Sequence, residues 1–341
     1  MIKATLLKTT GEKIAIDLPE NGTELKLSQA LDFELKCFDL FEWLKVNVDN
    51  FSQKKGEYLI RLVDCLNVVY GDIVDFFDLK GDYINDIDNE KINQHFETLK
   101  GDYNKDEAFD SLMGIFNILY MVIRTTKPEL RELDHFVYKG KEFVFPKILK
   151  DRLFNDPMFP SPSVKQSIET LNVMSWLEDI KNSKDEKITE QVKTDNIYHK
   201  YLTELSVLLI EKGKKLPTEE AEFNMFIREQ RVFFEDIDFQ TALDVEFWFE
   251  NYYDSLRKDR ENYYYFNSNE KNTPKNGDEL TALNRAKAVN DDIFKKIGYK
   301  SIINRLLELG AFRGRDKTDI ESVNNAPMTD AVKLISIENS Q

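Results

Sequence analysis

Apolar and polar residues alternate through positions 2–18, and Ile14, Ile16 and Leu18 fall on one face of a strand that follows a Thr9-Thr10-Gly11 turn. A period of two broken by glycine is the pattern of a half-buried β-hairpin. Pro19-Glu20-Asn21-Gly22 ends it, and Leu25 and Leu27 predict a short third strand. Past Ser28, which reads as an N-cap, the period lengthens. Leu31, Leu35, Phe38, Phe41 and Leu44 recur at three- and four-residue steps and share one face of a helix. Helical periods return over 57–70, ended by Gly71, and over 107–126, ended before Pro128. Between them, 78–91 is acidic and loop-like, with a short helix after it.

A second hairpin is predicted at 134–146, where 138-YKGKEFVFP-146 places a Lys-Gly turn between two short strands and closes with proline. The proline-rich 155-NDPMFPSPS-163 reads as a linker. Ser163 then caps a helix carrying Val164, Ile168, Leu171 and Trp176. A charged stretch, 181–193, precedes a helix over 197–211 that stops at Gly213. Helices follow over 219–234 and 240–266, then a polar break at 267–277 and helices near 278–296 and 299–310. The tail, 311–341, reads as extended, with a strand over 331–337. Both hairpins lead through proline and a polar break to a helix that carries a glutamine and then a Trp-Leu pair, Trp43-Leu44 and Trp176-Leu177. The order suggests one unit used twice, an idea that fails if the segments beginning at Leu6 and Val137 have unrelated topologies. The predicted class is mainly α with short β-hairpins, an α+β fold of helical bundle units each preceded by a small hairpin. Its parts are 1–130, an N-terminal hairpin with a helical unit; 131–266, a second hairpin with an aromatic-rich helical unit; and 278–341, C-terminal helices with an extended tail.

Composition narrows the partners. With 341 residues, 41% of them apolar and 12% aromatic, the chain can bury a substantial core. Its formal net charge of −15 works against phosphate backbones, which are bound by displacing counterions with Lys and Arg, so no specific nucleic-acid binding is predicted. The most apolar run, 112-LMGIFNILYMVI-123, is shorter than the roughly 20 residues a bilayer requires and contains Asn117, so no membrane partner is predicted. The start, MIKATLLKTTGEK, has no apolar core of a secretory signal. Cys37 and Cys65 lie in apolar helical patterns and read as two buried thiols in a reducing compartment rather than as a disulfide.

No stretch specifies a reaction. His95, His135 and His199 are isolated from one another, against a zinc site. The acidic 86-DIDNEKINQHFE-97 has carboxylates at calcium-loop positions, but Lys91 stands where the turn needs glycine. Phosphate-binding glycine loops and a nucleophile elbow are missing from the pattern. No catalytic, cofactor-binding or metal-binding residue is therefore assigned, no cofactor is expected, and the chain reads as no enzyme. About a third of the aromatic residues fall between Phe223 and Phe266. Phe247, Trp248, Phe249, Tyr252 and Tyr253 are too many for one helix face, so the helix is either buried on two sides or offers part of its stripe to a partner. Phe247, Trp248, Tyr252, Tyr253 and Tyr264 are the candidate interaction residues. Arg313 and Arg315, in the basic 310-GAFRGRDK-317, are a candidate docking contact.

The stretches 18-LPENGTELKLSQALDF-33 and 138-YKGKEFVFP-146 resemble proteins of tailed bacteriophages that infect Bacteroidetes, including the crAss-like group. The resemblance implies a non-enzymatic structural or assembly component, whether virion, tail-associated or packaged. Its partners would be other phage structural proteins or copies of itself, in the cytoplasm of the infected bacterium during assembly and then in the virion. A soluble intracellular binding or regulatory protein, a tail-assembly chaperone, and an enzyme with a site assembled from scattered residues are the alternatives.

Overall fold

The computed structural model describes residues 1–7, 12–51, 54–71, 73, 105–129, 136–144, 162–181, 190–214, 216–217, 219–258 and 319–339. Among them are nine α-helices and five β-strands in two small antiparallel sheets, the mainly helical α+β class that the periodicities predict. The chain forms two compact units. One comprises Met1–Pro128, Glu186–Tyr198 and Glu235–Leu243; the other comprises Glu129–Asp185, His199–Phe234 and Asp244–Gln341.

In the first unit β1 (Ile2–Leu7) pairs antiparallel with β2 (Lys13–Leu18), Ile2 opposite Leu18 and Leu7 opposite Lys13. Alternation buries Ile16 and Leu18 while Lys13, Ala15 and Asp17 face outward, as a pleated strand with one covered face requires. The turn containing Gly11 lies outside the described residues. Helices α1 (Leu27–Asn47), α2 (Lys55–Asn67) and α3 (Lys105–Thr125) follow, and α3 packs on both β1 and α2. α1 and α2 are antiparallel. Contacts run from Lys36–Asp64 (2.9 Å) through Trp43–Glu57 to Asn47–Lys54 (2.7 Å), numbers rising on one helix as they fall on the other. Phe33 and Phe116 (5.6 Å between ring centroids) and Phe41 and Tyr120 (5.8 Å) tie α1 to α3. The buried set of α1 therefore wraps beyond one stripe. Leu27, Ala30, Phe33, Cys37 and Leu40 are buried with Leu31 and Leu35, whereas Phe38 is 44% exposed. A helix with neighbours on two sides cannot be read as one apolar face.

In the second unit β3 (Phe136–Tyr138), β4 (Lys141–Val144) and β5 (Ile210–Glu211) form a sheet with β4 in the middle. Lys139 (φ +45°) and Gly140 (φ +76°) both occupy the left-handed region, the geometry of a type I′ hairpin turn. Helices α4 (Val164–Lys181), α5 (Glu190–Leu208), α6 (Glu220–Phe233), α7 (Phe239–Lys258), α8 (Asp319–Asn324) and α9 (Met328–Asn339) complete the described chain. The first turns of α5 and α7 belong to the first unit. α4 packs against α8 and α9. Val207, Leu216, Phe223 and Ile227 bury together with Ile210 and Phe226 against them. Phe136, Tyr138, Phe143, Phe233 and Phe234 form a second, wholly aromatic cluster, with Phe143 and Phe234 5.3 Å apart.

Four local expectations change. Leu25 and Leu27 form no third strand; a 3-10 turn over Gly22–Glu24 leads to a single bridge between Lys26 and Asp238. The N-cap of α1 is Lys26 rather than Ser28, because Gln29 Oε1 accepts the Lys26 N–H (3.1 Å). The helix expected to reach 211 ends at Leu208, and Ile210 and Glu211 pair with β4 instead. The tail is helical over 319–324 and 328–339. Its run 331-AVKLISI-337 looks strand-like, but Met328, Ala331, Val332 and Ile335 are the buried positions, a helical spacing, while Leu334 and Ile337 are exposed. The acidic 86–97 loop, His95 and His135 lie outside the described residues.

Candidate functional site

The first four N–H groups of a helix have no partner inside it, and a buried helix start must find them partners elsewhere. This chain does so by pairing helix starts. Leu27 N donates to Ile237 O and Phe239 N to Leu25 O, both at 2.8 Å, so the starts of α1 and α7 satisfy each other reciprocally. In the second unit Val164 N donates to Ala326 O (2.8 Å) and Met328 N to Pro162 O (2.9 Å), the same exchange between α4 and α9. Both hairpins thus lead into helices that begin in the same way. Glutamines complete the device. Gln166 Oε1 accepts the Ser163 N–H (2.9 Å), Ser163 Oγ accepts the Gln166 N–H (3.2 Å), and Gln166 Nε2 donates to Val207 O (3.0 Å) at the end of α5. Gln29 Nε2 reaches Val69 O (3.5 Å) beyond α2, and Gln240 Nε2 reaches Lys127 O (2.8 Å) beyond α3. The expected Ser163 cap is present as a reciprocal capping box.

All four paired starts share a pattern that periodicity alone did not reveal: LSQAL (27–31), FQTAL (239–243), VKQSI (164–168) and MTDAV (328–332). The first residue is large, apolar and buried, and the fourth is Ala30, Ala242, Ser167 or Ala331, at 1%, 1%, 0% and 0% exposure. A small side chain one turn in lets a second backbone approach to hydrogen-bonding distance. For α1 and α7 the likeness runs further, 30-ALDFEL-35 against 242-ALDVEF-247. Glu34 pairs with Arg124 on α3 (3.6 Å), and Glu246 pairs with Lys200 on α5.

The aromatic helix sorts its residues by burial. Trp248 (2% exposed) and Tyr252 (1%) stack within the interior, ring centroids 5.5 Å apart and planes 8° from parallel. Phe247 and Tyr253 are half-buried and line a groove of about 430 Å³ with Met174, Phe249, Glu250 and Asn251. Asn251 Nδ2 donates to Phe247 O (2.7 Å), and Phe249 stacks on Tyr253 (6.3 Å, 9°), which holds the groove wall in shape. Of the predicted interaction residues, the groove gathers Phe247 and Tyr253. Tyr264, Arg313 and Arg315 lie outside the described residues.

Comparison of the chain with protein-family models, with curated proteins and with solved structures finds no match.

The buried ionisable groups hold helices together. Lys200 (4% exposed) pairs with Glu204 one turn on (3.5 Å) and with Glu246, and lies over the Tyr201 ring at 4.8 Å. Lys165 donates to Pro217 O (2.6 Å) over the face of Phe223 (4.2 Å), and burial lowers its pKa against the pull of Glu169, Glu219 and Glu220. Burial raises the carboxyls of Glu169, Asp32 and Glu34 above their ordinary range, Asp195 adding to the effect at Asp32. Glu57 accepts from Trp43 Nε1 and pairs with Arg61 (3.2 Å). His199 is exposed and hydrogen-bonds Arg231. Among the described residues no group of three His, Cys, Asp or Glu side chains could hold a metal ion, and no helix is long and apolar enough to cross a membrane.

The second hairpin is anchored at its tip. Lys139 Nζ donates to Phe233 O (2.9 Å), at the C-terminus of α6, where the helix dipole favours a cation. Lys141 lies over the Phe233 ring (4.7 Å) and pairs with Glu211 (3.3 Å). Among the described residues, β1 and β2 pair only with each other, so the first hairpin has two open edges.

Proposed function

We propose that this chain is a non-enzymatic structural or assembly component of a tailed bacteriophage, working through protein–protein contacts. The observation that carries the reading is the groove of α7. It offers two half-buried aromatics and the adaptable thioether of Met174, with Glu250 and Asn251 as polar neighbours. Interface centres are enriched in aromatic residues and Met and depleted of charge, which fits this lining better than it fits a reaction centre. The charged groups inside the fold support the same reading, because Lys200, Lys165 and Glu57 are engaged in contacts that join helices. Assignment to a phage rests on the stretches at 18–33 and 138–146. The partners are other phage structural proteins or further copies of the chain, met in the cytoplasm of the infected bacterium and carried into the virion.

Particle proteomics with size-exclusion chromatography and light scattering tests this. The expected result is recovery of the chain in particles or in assembly intermediates. Phe247→Ala with Tyr253→Ala should abolish that recovery at a smaller cost in stability per residue than the loss of a fully buried aromatic. Trp248→Ala should instead lower stability by about 3–5 kcal/mol, as loss of a buried large aromatic does. A chain that stays monomeric and is absent from both particles and intermediates would overturn the proposal.

A further inference from the structure

The outward face of β2 carries Lys13, Ala15 and Asp17, all exposed, while Ile16 (6% exposed) and Leu18 (0%) turn to the core and Ile14 is half-buried. Among the described residues β2 pairs with β1 alone, and α3 lies chiefly over β1. The far side of β2 therefore presents backbone N–H and C=O groups on the side that this helix covers less. Such an edge takes a further strand through its backbone, and the side chains decide which strand fits. Laid antiparallel to a second copy of itself about a two-fold axis at Ala15, β2 sets Lys13 opposite Asp17 of the copy, Ile14 opposite Ile16, and Ala15 opposite Ala15. Opposed residues of an antiparallel pair share a face, with Cβ atoms about 5 Å apart, within reach of a Lys–Asp ion pair. An axis at Ile14 or Ile16 keeps the faces but sets Lys13 or Asp17 opposite Ala15. A one-residue slip sets a core-facing residue opposite an outward one. β1 offers no such match, because Lys3 is its one charged residue.

We propose that the chain forms a two-fold dimer through the edge of β2, which pairs antiparallel with β2 of a second copy in one four-stranded sheet of order β1-β2-β2-β1. Asp17, which stands opposite Lys3 on β1, gains Lys13 of the copy on its other side. The axis makes two such ion pairs, and on the core face the half-buried Ile14 gains Ile16 of the copy as a neighbour. The contact is isologous, so the β2 edge is consumed at two copies. A single strand pair lies at the low end of interface size, so the dimer is concentration-dependent. It names one partner for the assembly role proposed above, and rests on neither the phage assignment nor the α7 groove.

Sedimentation velocity of the full chain, from low micromolar to several hundred micromolar, tests this, with circular dichroism as the check on folding. The wild-type chain should pass from monomer to dimer as concentration rises. Lys13→Asp makes both outward charges of β2 acidic, and Asp17→Lys makes both basic. Each variant alone should lose dimer affinity by about tenfold or more, as two attractive pairs become two repulsive ones. An equimolar mixture of the two variants should recover a dimer, and so should a chain carrying both exchanges, a rescue that damage to the hairpin cannot produce. A wild-type chain monomeric at every concentration, single variants that associate as tightly as wild type, or a mixture that stays monomeric would each overturn the dimer. That failure is distinct from failure of the assembly role: a monomer recovered from particles refutes the dimer and supports the role.

Discussion

Gln166 ties the start of α4 to the end of α5 through one side chain, and its replacement measures what this paired helix start gains from it. Its oxygen caps Ser163 N at 2.9 Å, and its nitrogen holds Val207 O at 3.0 Å, where Val207 is fully buried. Gln166→Ala removes both. Loss of a cap costs about 0.5–2 kcal/mol, and loss of the amide-to-carbonyl bond costs about 0.5–1.5 kcal/mol. The second figure tends upward because water has little access to replace the partner. The expected total is about 2–3 kcal/mol, or roughly 4–12 °C in the midpoint of the second unit. Gln166→Glu separates the two halves. A carboxylate at the third helical position still caps Ser163 and suits the positive helix start, but it cannot donate to Val207 O and places oxygen against oxygen. It should lose only the second contribution.

Gln29 makes the corresponding contacts at 3.1 and 3.5 Å, and Val69 is only half-buried, so Gln29→Ala should cost less, about 0.5–1.5 kcal/mol. Urea unfolding followed by circular dichroism at 222 nm gives all three values. A Gln166→Glu chain as stable as wild type would refute the role of the Val207 bond. Equal costs for Gln29→Ala and Gln166→Ala would refute the scaling with contact geometry.

Lys200→Met removes the cation between Glu204 and Glu246; because Glu204 is 1% exposed and cannot turn to water, chemical denaturation should show a loss of about 3–5 kcal/mol. Gly22→Ala places a Cβ 2.6 Å from Thr126 Cγ2 and 3.4 Å from Gln240 Cβ, so it should cost about 1–3 kcal/mol in the same assay, and pairing it with Thr126→Ser should recover part of the loss. Asp32, Glu34 and Glu169 have carboxyls whose folded pKa is raised by burial, so the folded state binds their protons more tightly than the unfolded one. Stability should therefore rise as pH falls from about 8 through the raised values, and this contribution should level off below the ordinary carboxylate range near 4. Thermal melts across that range check the sign, and a steady fall in melting temperature from pH 8 to pH 5 would contradict it.

Short-range signals in the sequence were legible where a local pattern has one structural solution. Period-two alternation with a Lys-Gly turn marked the second hairpin, and Ser163 marked the helix start that it caps; the part Gln166 plays in that cap appeared only in the fold. The first hairpin and the helices over 57–70, 107–126 and 219–234 lie within a few residues of the spans read from period. Misreadings arose where a distant segment decides. Leu25 and Leu27 alternate like a strand, but their backbone partners are Ile237 and Phe239, about 210 residues away. The run 331–337 satisfies both strand and helix patterns over seven residues, and packing against α4 selects the helical face through Met328 and Ala331. At the candidate site, the crowding of aromatics was visible, but which ones face inward was not. Trp248 and Tyr252 are one turn apart, as are Phe249 and Tyr253, yet Trp248, Phe249 and Tyr252 are all buried and only Tyr253 is left half-buried, a sorting that the neighbouring elements decide.

The paired helix starts explain why two segments with so little sequence in common can begin alike. Hydrogen bonding between backbones asks nothing of the residue at the bridge, which is Lys26, Asp238, Ser163 or Pro327. It asks for an apolar first residue to close the crossing and a small fourth residue to permit it, and those two demands are met four times. The longer likeness of 30-ALDFEL-35 and 242-ALDVEF-247 goes beyond what the crossing requires. Its extra positions have work of their own: Glu34 and Glu246 each engage a cation on another helix, and Asp244 accepts the N–H of Glu129 (2.7 Å) just past the end of α3. Repetition in this chain is thus carried by contacts between helix ends rather than by hairpins, whose own sequences are free to differ. A search for further copies of the device in other chains should weight the apolar-x-x-small-apolar helix start, with glutamine in its first turn, above the strand and turn that precede it.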